Sequence, residues 1–256
     1  MKGFIDTHTH LYLDQFDDDR SEAVNRALEK GVDKMLLPNV DQETIEPMLK
    51  LCEDFPGHCL PMMGLHPTSV KPGYEKHLQE MYSRLKNEYY VAVGETGIDL
   101  YWDKTHKDLQ IMAFCKQIEW ALEFKLPVVI HSRNSVDEIM EILEPYRNTG
   151  LRGVMHCFPG NREQAKWFID FGFVLGIGGV VTYKKSLMAD MVKETGLEHL
   201  ILETDAPYLP PVPCRGKRNE PAFLPFIAQK IADIKELETH EVEKITSLTS
   251  KALFGL

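Results

Sequence analysis

Six side chains that can bind metal ions lie where strand-like runs of the sequence end. His8 and His10 close the first run, and the other four each close a later one: Glu95, His131, His156 and Asp205. Residues at i and i+2 of a strand face the same side, so the two histidines of the first run can bind one ion together. In a β/α barrel the strand ends meet at one face. The pattern therefore predicts a metal site formed by all six residues.

Six ligands are more than a single catalytic zinc ion uses, because such an ion usually takes three protein ligands and a water molecule. Two ions that share a carboxylate accommodate the set better, and we expect Glu95 to be the bridge. The predicted ligand sets are His8, His10 and Asp205 for one ion, and His131 and His156 for the other. Imidazole and carboxylate ligands suit Zn, Mn, Fe or Ni, whereas Mg prefers more oxygen. The identity of the two divalent ions stays open.

Eight strand-like runs alternate with helical segments along the whole chain. The runs are Gly3–His10, Val32–Val40, His58–His66, Tyr89–Gly97, Pro127–Arg133, Arg152–Phe158, Phe173–Gly178 and His199–Ala206. The intervals between them leave room for one crossover helix each. This alternation predicts an α/β fold, a (β/α)8 TIM barrel, and 256 residues are close to the roughly 250 that such a barrel needs. We expect a single domain over residues 1–256, with a long ordered loop at the proline-rich stretch Pro207–Pro221.

The overall composition favours an ordinary soluble protein. A net charge of −10 disfavours a large non-specific surface for polyanions, although bound cations would offset negative charge locally. The sequence contains no run of about 18 apolar residues, so no membrane span is predicted. Asp6 and His8 lie where a signal peptide would need its apolar stretch, so a cytoplasmic location is expected. The five cysteines form no CxxC pair, which disfavours a disulfide framework or a structural zinc site. Nothing indicates an obligate protein partner.

Eight blocks of the sequence resemble, in order and over the full length, those of the TatD family of metal-dependent deoxyribonucleases in the amidohydrolase superfamily. The blocks are FIDTHTHL at the start, MGLHP at 63–67, VGETGIDLYW at 93–102, PVVIHSR at 127–133, MHCF at 155–158, GIGGVVTY at 176–183, LETDAPYL at 202–209 and RNEP at 218–221. The resemblance implies a β/α barrel, a two-metal site and hydrolysis of phosphodiester bonds, usually in DNA. Other branches of the superfamily bridge their metals with a carboxylated lysine on strand four. Glu95 at that position supports the TatD branch.

Further side chains near the six ligands are candidates for roles in the reaction. Asp205, besides binding metal, is the candidate base that takes the proton of the attacking water. Glu203 lies two residues earlier on the same strand face, and it either orients the water or a ligand or is a buried structural carboxylate. Asp6 and Asp99 have the same two interpretations. His66 is assigned to a substrate phosphate or a leaving oxygen, with packing against the following proline as the alternative.

Substrate contacts are expected from His66, Arg133, Arg218 and Asn219. Arg133 follows His131 at i+2 and can reach a phosphate oxygen, with a surface ion pair as the alternative. Arg218 and Asn219 belong to a basic rim that is predicted to hold the nucleic-acid backbone, with a solvated surface as the alternative. The rim comprises Tyr183, Lys184, Lys185, Arg215, Lys217, Arg218 and Asn219. Tyr101 and Trp102 either stack on a base or pack within their loop.

The leading hypothesis is a DNase that uses water activated by two divalent ions. It would be of the 3'–5' exonuclease or endonuclease type and act on single-stranded DNA or frayed ends. The alternative is a small-molecule hydrolase of the same superfamily, acting on an amide, lactone or phosphoester, which the acidic net charge keeps open. A metal-binding protein without catalysis is disfavoured, because a storage site needs no extra acid–base groups such as Glu203 and His66.

Overall fold

Strands and helices alternate along almost the whole chain of the computed structural model, which describes residues 3–102, 104–184, 186 and 188–256. The strands in these residues are β1 Phe4–Asp6, β2 Val32–Pro38, β3 Cys59–Met62, β4 Val93–Asp99, β5 Val128–Arg133, β6 Gly153–Met155, β7 Phe173–Ile177 and β8 Leu200–Leu202. The α-helices are α1 Arg20–Glu29, α2 Ile45–Asp54, α3 Glu75–Asn87, α4 Lys107–Phe124, α5 Val136–Leu143, α6 Arg162–Phe171, α7 Met188–Glu194, α8 Leu224–Lys235 and α9 Thr239–Phe254. No helix in the described ranges is long and apolar enough to cross a membrane.

The strands follow one another around the molecule in chain order. Parallel pairing gives one sheet of β1–β2–β3 and another of β4 through β8. Backbone hydrogen bonds join the two sheets at both seams: Gly94 N–H donates to the Met63 carbonyl (2.9 Å), and Thr7 N–H donates to the Leu202 carbonyl (3.0 Å). The predicted α/β barrel fold is confirmed.

Apolar residues form two layers, because side chains of a strand alternate between its faces. Val129 of β5 belongs to a small inner cluster, whereas its neighbours Val128 and Ile130 pack in the larger layer that includes the helices. The inner cluster draws on strands around the ring and includes Ile5, Leu36, Met62, Val129, Val154 and Ile201. Leu253 and Phe254, at the end of α9, pack into the same cluster. The barrel interior is therefore filled with apolar side chains at one end.

Polar side chains replace apolar ones on the same inner faces toward the carboxyl ends of the strands. His131 lies two residues after Val129, and Glu203 lies two residues after Ile201. The period of two directs these polar groups inward, as it does the apolar ones before them. The strand pattern therefore places titratable groups together at one end of the barrel.

β4 is irregular, and the irregularity decides where Glu95 points. The strand was expected over Tyr89–Gly97 with Glu95 near its end, but it spans Val93–Asp99 and Glu95 is an early residue. Val93 pairs with Val128 and Thr96 pairs with Ile130, so β4 contains one extra residue between these pairs. In a regular strand Glu95 would share the outward face of Val93, which packs in the helix layer. The extra residue reverses this and turns Glu95 inward.

Two buried glutamines of α4 stabilise the region around this irregular strand. The side chain of Gln117 accepts a hydrogen bond from the Leu65 N–H (2.7 Å) and donates to the Leu65 carbonyl (3.2 Å) and to Thr96 Oγ1 (2.7 Å). The side chain of Gln110 likewise accepts a hydrogen bond from the Asp99 N–H (2.9 Å) and donates one to the Asp99 carbonyl (3.3 Å). Each amide satisfies buried backbone groups that a neighbouring strand would otherwise satisfy. α4 thereby holds the backbone beside His66 and at Asp99.

The loop after β8 is anchored to α1 by a network of ion pairs. Asp19 accepts hydrogen bonds from both terminal nitrogens of Arg218 (2.7 and 2.8 Å) and from Arg26 Nη2 (2.8 Å). Arg26 also donates to Glu220 (2.6 Å). The hydrogen bonds from Arg218 and Arg26 hold the pKa of Asp19 well below its ordinary range. Long-range ion pairs thus fix the loop that follows the last strand.

We expect Asp19→Asn to lower the free energy of unfolding by about 1 kcal/mol at pH 7, because charge-assisted bonds to two arginines are lost at a partly exposed site. The pKa of Asp19 is lower in the folded state than the roughly 3.9 of an unfolded chain. Its contribution is therefore present above about pH 4 and is lost as the pH falls toward the folded-state pKa. Urea unfolding from pH 7 to pH 3 should show the difference from wild type shrinking below about pH 4.

The control is Asp54→Asn, which removes the exposed pair between Asp54 and Lys50 (2.5 Å). This variant should change the free energy of unfolding far less than Asp19→Asn does, because water screens an exposed pair. Equal effects of the two substitutions would contradict the anchoring role of Asp19.

Candidate metal centre

The carboxylate of Glu95 lies at the centre of a cluster of histidines. Its Oε2 atom is 3.1 Å from Nε2 of His8 and 3.7 Å from Nε2 of His10. Its Oε1 atom is 2.8 Å from Nδ1 of His131 and 3.8 Å from Nε2 of His156. The two oxygens therefore face two different sets of imidazoles. This arrangement would let Glu95 bridge two bound cations.

Asp205 completes the cluster from the other side. Its backbone is in the left-handed region, with a φ of 57°, which an aspartate tolerates better than most residues. Oδ1 lies 3.6 Å from Nε2 of His10, 3.8 Å from Nε2 of His156 and 4.0 Å from Nε2 of His8. All six predicted ligands thus meet in one place, although β1, β6 and β8 end before the ligands rather than at them. Their binding of metal stays a prediction.

Three of the histidines have partners on the side away from the cluster, and these partners set the tautomer. The hydroxyl of Tyr12 donates to the Pro38 carbonyl and lies 2.8 Å from Nδ1 of His10. Because the hydroxyl hydrogen is already used, Tyr12 accepts from the Nδ1–H of His10, which leaves the Nε2 lone pair facing the cluster. Tyr12 was not singled out from the sequence. Its position two residues after His10 is the pattern that points to it.

Carboxylates do the same for the other two histidines. Nε2 of His131 is 3.1 Å from Oδ2 of Asp99, and Nδ1 of His156 is 3.0 Å from Oε1 of Glu203. The hydrogen bond to Asp99 places the proton of His131 on Nε2, and the negative charge of Glu203 favours a proton on Nδ1 of His156. The other nitrogen of each ring then faces Glu95. Glu203 is buried beneath His156 and is not among the residues that line the cavity. The geometry supports its orienting role.

His66 was not expected among the ligands, yet it lies beside them. Its Nε2 is 3.3 Å from Nδ1 of His131 and 3.6 Å from Oε1 of Glu95. The backbone N–H of Thr68 donates to Nδ1 of His66 (3.2 Å), so a neutral ring carries its proton on Nε2. Burial lowers the pKa of His66 to about 3, which keeps the ring neutral. His66 therefore presents an N–H donor to the cluster.

The spacing and chemistry of the donor atoms fit divalent cations. Nε2 of His8 is 3.2 Å from Nε2 of His10 and 3.1 Å from Oε2 of Glu95. Two ligands of a tetrahedral ion with bonds of 2.0–2.1 Å are about 3.3 Å apart, so these separations suit such an ion. Burial opposes ionisation of Glu95 and Asp205, but the surrounding histidines outweigh it and hold the pKa of both carboxyls below the usual range. The cluster thus offers ionised carboxylates and inward-facing imidazole nitrogens.

The cluster forms part of the wall of a cavity of about 810 Å³. The remaining described lining residues are Leu13, Val40, Thr68, Asp99, Trp102, Ser132, Arg133, Cys157, Pro159, Tyr208 and Leu209, beside His66 and five of the predicted ligands. Arg133 is the only arginine or lysine among these described residues. Its guanidinium carbon lies 4.0 Å from the ring centroid of Tyr101. Arg133 therefore brings a positive charge to the cavity, and its contact with a phosphate stays a prediction.

Arg218 and Asn219 do not line this cavity, which corrects their expected role in substrate binding. Arg218 is engaged with Asp19, as described above. Asn219 is fully buried, and its amide donates to the carbonyls of Thr204 (2.8 Å) and Tyr208 (2.6 Å). The sequence pattern identified a polar segment but not its partners. Both side chains hold the loop after β8 in place.

The rest of the predicted basic rim also lies outside the described lining of the cavity. Arg215 stacks on the ring of Tyr183, with its guanidinium carbon 4.1 Å from the ring centroid. Lys185 lies outside the described residues. The expected contacts between this rim and a nucleic-acid backbone stay a prediction.

Comparisons with known proteins agree over nearly the whole chain. The family model described as TatD related DNase matches residues 5–255. A Bacillus subtilis (strain 168) protein named uncharacterized metal-dependent hydrolase YabD is 36% identical over 253 residues, which cover 98% of this chain and 99% of the relative. An Erwinia amylovora protein named 3'-5' ssDNA/RNA exonuclease TatD is 30% identical over 258 residues, which cover 98% and 100%. The crystal structure of YjjV, a TatD homolog from Escherichia coli K12, matches this chain with a TM-score of 0.93 at 29% sequence identity. The match covers 99% of this chain and 98% of the YjjV chain.

We expect Asp99→Asn to weaken the binding of Zn²⁺ or Mn²⁺ about 10- to 100-fold, because a neutral amide holds the Nε2–H of His131 less strongly than a carboxylate does. Competition titration with a chromophoric chelator measures this affinity without any substrate. The matched control is Asp108→Asn, which alters an exposed carboxylate in the first turn of α4. If Asp99→Asn binds metal as tightly as Asp108→Asn does, Asp99 does not orient a ligand.

Proposed function

Because this chain belongs to the TatD family of DNase-related proteins, we propose that it is a divalent-metal-dependent hydrolase that cleaves phosphodiester bonds in single-stranded DNA or RNA. The observation that carries the proposal is the arrangement around Glu95, whose two oxygens face two sets of imidazoles beside an open cavity. The names of two relatives support the metal dependence and the substrate class. One is named a metal-dependent hydrolase, and the other is named an exonuclease for single-stranded DNA and RNA.

Two divalent ions are proposed at this site, with Glu95 shared between them. The proposed sets are His8, His10 and Asp205 for one ion, and His131 and His156 for the other. His156 also stacks on His8, with ring centroids 3.4 Å apart, so it lies close to both sets. Bound cations would supply a lowered pKa for water and would neutralise charge on a phosphate. Zn, Mn, Ni, Fe and Mg remain the candidates.

The side chains around the proposed ions have distinct tasks. Asp205 lines the cavity as an ionised carboxylate and can accept the proton of the attacking water. Glu203 acts through His156, by fixing the orientation of its ring, and is a positioning residue. The Nε2–H of His66 can donate to a phosphate oxygen or to the leaving oxygen. Arg133 can bind a non-bridging phosphate oxygen from the mouth of the cavity.

A small phosphoester, amide or lactone is the second candidate substrate. The observation that favours it is the scarcity of positive charge: a single arginine lines the described part of the cavity, and the net charge of the chain is −10. Binding to a long polyanion usually involves several cationic contacts. The site itself accommodates either class, since both reactions need an activated water and a stabilised oxyanion.

The test is hydrolysis by purified, metal-reconstituted protein. Its substrates are single-stranded DNA labelled at the 5' or the 3' end, beside a panel of small phosphoesters, amides and lactones. We expect cleavage of the DNA, and the two labels distinguish exonuclease from endonuclease action and give the polarity. Asp205→Asn should lower kcat by about 100-fold or more, because the proposed base is lost. Metal content, measured on the same samples, separates loss of the base from loss of an ion.

Asp233→Asn is the control, since Asp233 is exposed on α8 and is not among the residues that line the cavity. It should leave kcat unchanged. If Asp205→Asn and His131→Ala both keep full nuclease activity, the activity comes from a contaminant or the site is wrong. Cleavage of a small substrate alone would favour the second candidate.

A further inference from the structure

Two neighbouring aromatic side chains that follow β4 are unusually exposed. Trp102 is 68% exposed and Tyr101 is 55% exposed, whereas Trp120 of α4 is 2% exposed and packs in the core. Trp102 lines the same cavity as His131 and Asp205. Large aromatic surfaces that face a concave polar site commonly contact a ligand, because core packing does not use them.

The turn that carries these rings is held in place by Asp99. Oδ1 of Asp99 accepts hydrogen bonds from the backbone N–H groups of Tyr101 (2.9 Å) and Trp102 (2.8 Å). The other oxygen of the same carboxylate is the partner of His131. Asp99 is itself fixed by Gln110 of α4. Asp99 therefore fixes the backbone that carries both aromatic rings relative to His131 of the candidate metal centre.

Arg133 supplies a positive charge directly beside the rings. Its guanidinium carbon is 4.0 Å from the ring centroid of Tyr101 and 5.4 Å from that of Trp102, both within the range of a cation–π interaction. The two aromatic rings meet edge to face, with centroids 5.0 Å apart. An exposed indole face suits a planar nucleobase, and one guanidinium suits one phosphate. Together the three side chains match the chemistry of a single nucleotide.

We propose that Trp102, Tyr101 and Arg133 form a subsite for one nucleotide of a single-stranded chain, with its base stacked on Trp102 and its phosphate at Arg133. This inference rests on the proposed function and adds to it a residue-level basis for selecting unpaired bases. A base inside a duplex has both faces covered by its neighbours and cannot stack on a protein ring. The subsite thus recognises an end or an unpaired position rather than a continuous backbone.

The test compares two substrates that share one backbone. One is a short oligothymidylate, and the other is a chain of equal length built from abasic tetrahydrofuran residues. For the metal-reconstituted protein, KM should be lower for the oligothymidylate. Trp102→Ala should raise that KM about 5- to 150-fold, the range expected for one base–aromatic stack, with a much smaller change in kcat. Its KM for the abasic chain should stay near the wild-type value, and Trp102→Phe should recover most of the loss.

Tyr89→Ala is the matched control, because Tyr89 is also 68% exposed but precedes β4 instead of following it. It should leave KM for both substrates unchanged. Arg133→Gln should raise KM for both substrates, because the phosphate is common to them. Fluorescence anisotropy with metal-free protein should give the same order of affinities without turnover.

The subsite is wrong if wild-type protein has equal KM values for the two substrates, or if Trp102→Ala affects both of them alike or neither. If wild-type protein cleaves neither substrate, the proposed phosphodiesterase function fails, and the nucleotide subsite that rests on it falls with it. Cleavage of the abasic chain with no preference for bases would keep the proposed function and remove only the subsite.

Discussion

The carboxylate of Glu95 is buried among five histidines, and the rest of the site depends on keeping it ionised there. A carboxylate that is buried without such partners is protonated, because its charge loses the solvation of water. Imidazole rings offset this cost where they carry a proton next to the carboxylate, and a divalent cation held by their inward-facing nitrogens would offset it further. Both effects require the rings to face Glu95 at short range. The side chains that hold four of the five rings in that orientation are Tyr12, Thr68, Asp99 and Glu203.

These orienting groups connect the site to the body of the fold. Asp99 is the clearest case, because Gln110 of α4 pairs with its backbone while its side chain contacts His131. The same carboxylate also holds the exposed turn at Tyr101 and Trp102. A helix of the outer layer therefore helps to set both the direction of a proposed metal ligand and the position of the two exposed aromatic residues after β4. Orientation of this kind is what makes a polar site precise enough to bind and react.

The inner apolar cluster and the candidate metal centre lie toward different ends of the barrel. Inner faces of the strands carry apolar residues first and titratable residues two positions later, as with Val154 and His156. The apolar end packs without solvent, and the polar end opens to the cavity. Under the proposed function, an acidic protein presents phosphate-binding chemistry locally, because Arg133 lines the cavity and the proposed cations would add positive charge beside it.

Local patterns in the sequence were sufficient to find eight strands and to select six side chains that the fold brings together, because strand period and residue type depend only on near neighbours. That these six bind metal stays a prediction. Three features required the tertiary structure. Glu95 points inward because the pairing of β4 with β5 contains an extra residue. Arg218 pairs with Asp19, which lies 199 positions away in the chain. His66 lies beside the cluster, with its Nε2 3.3 Å from Nδ1 of His131, which lies 65 positions away in the chain. Each depends on contacts between distant segments, which no local period specifies.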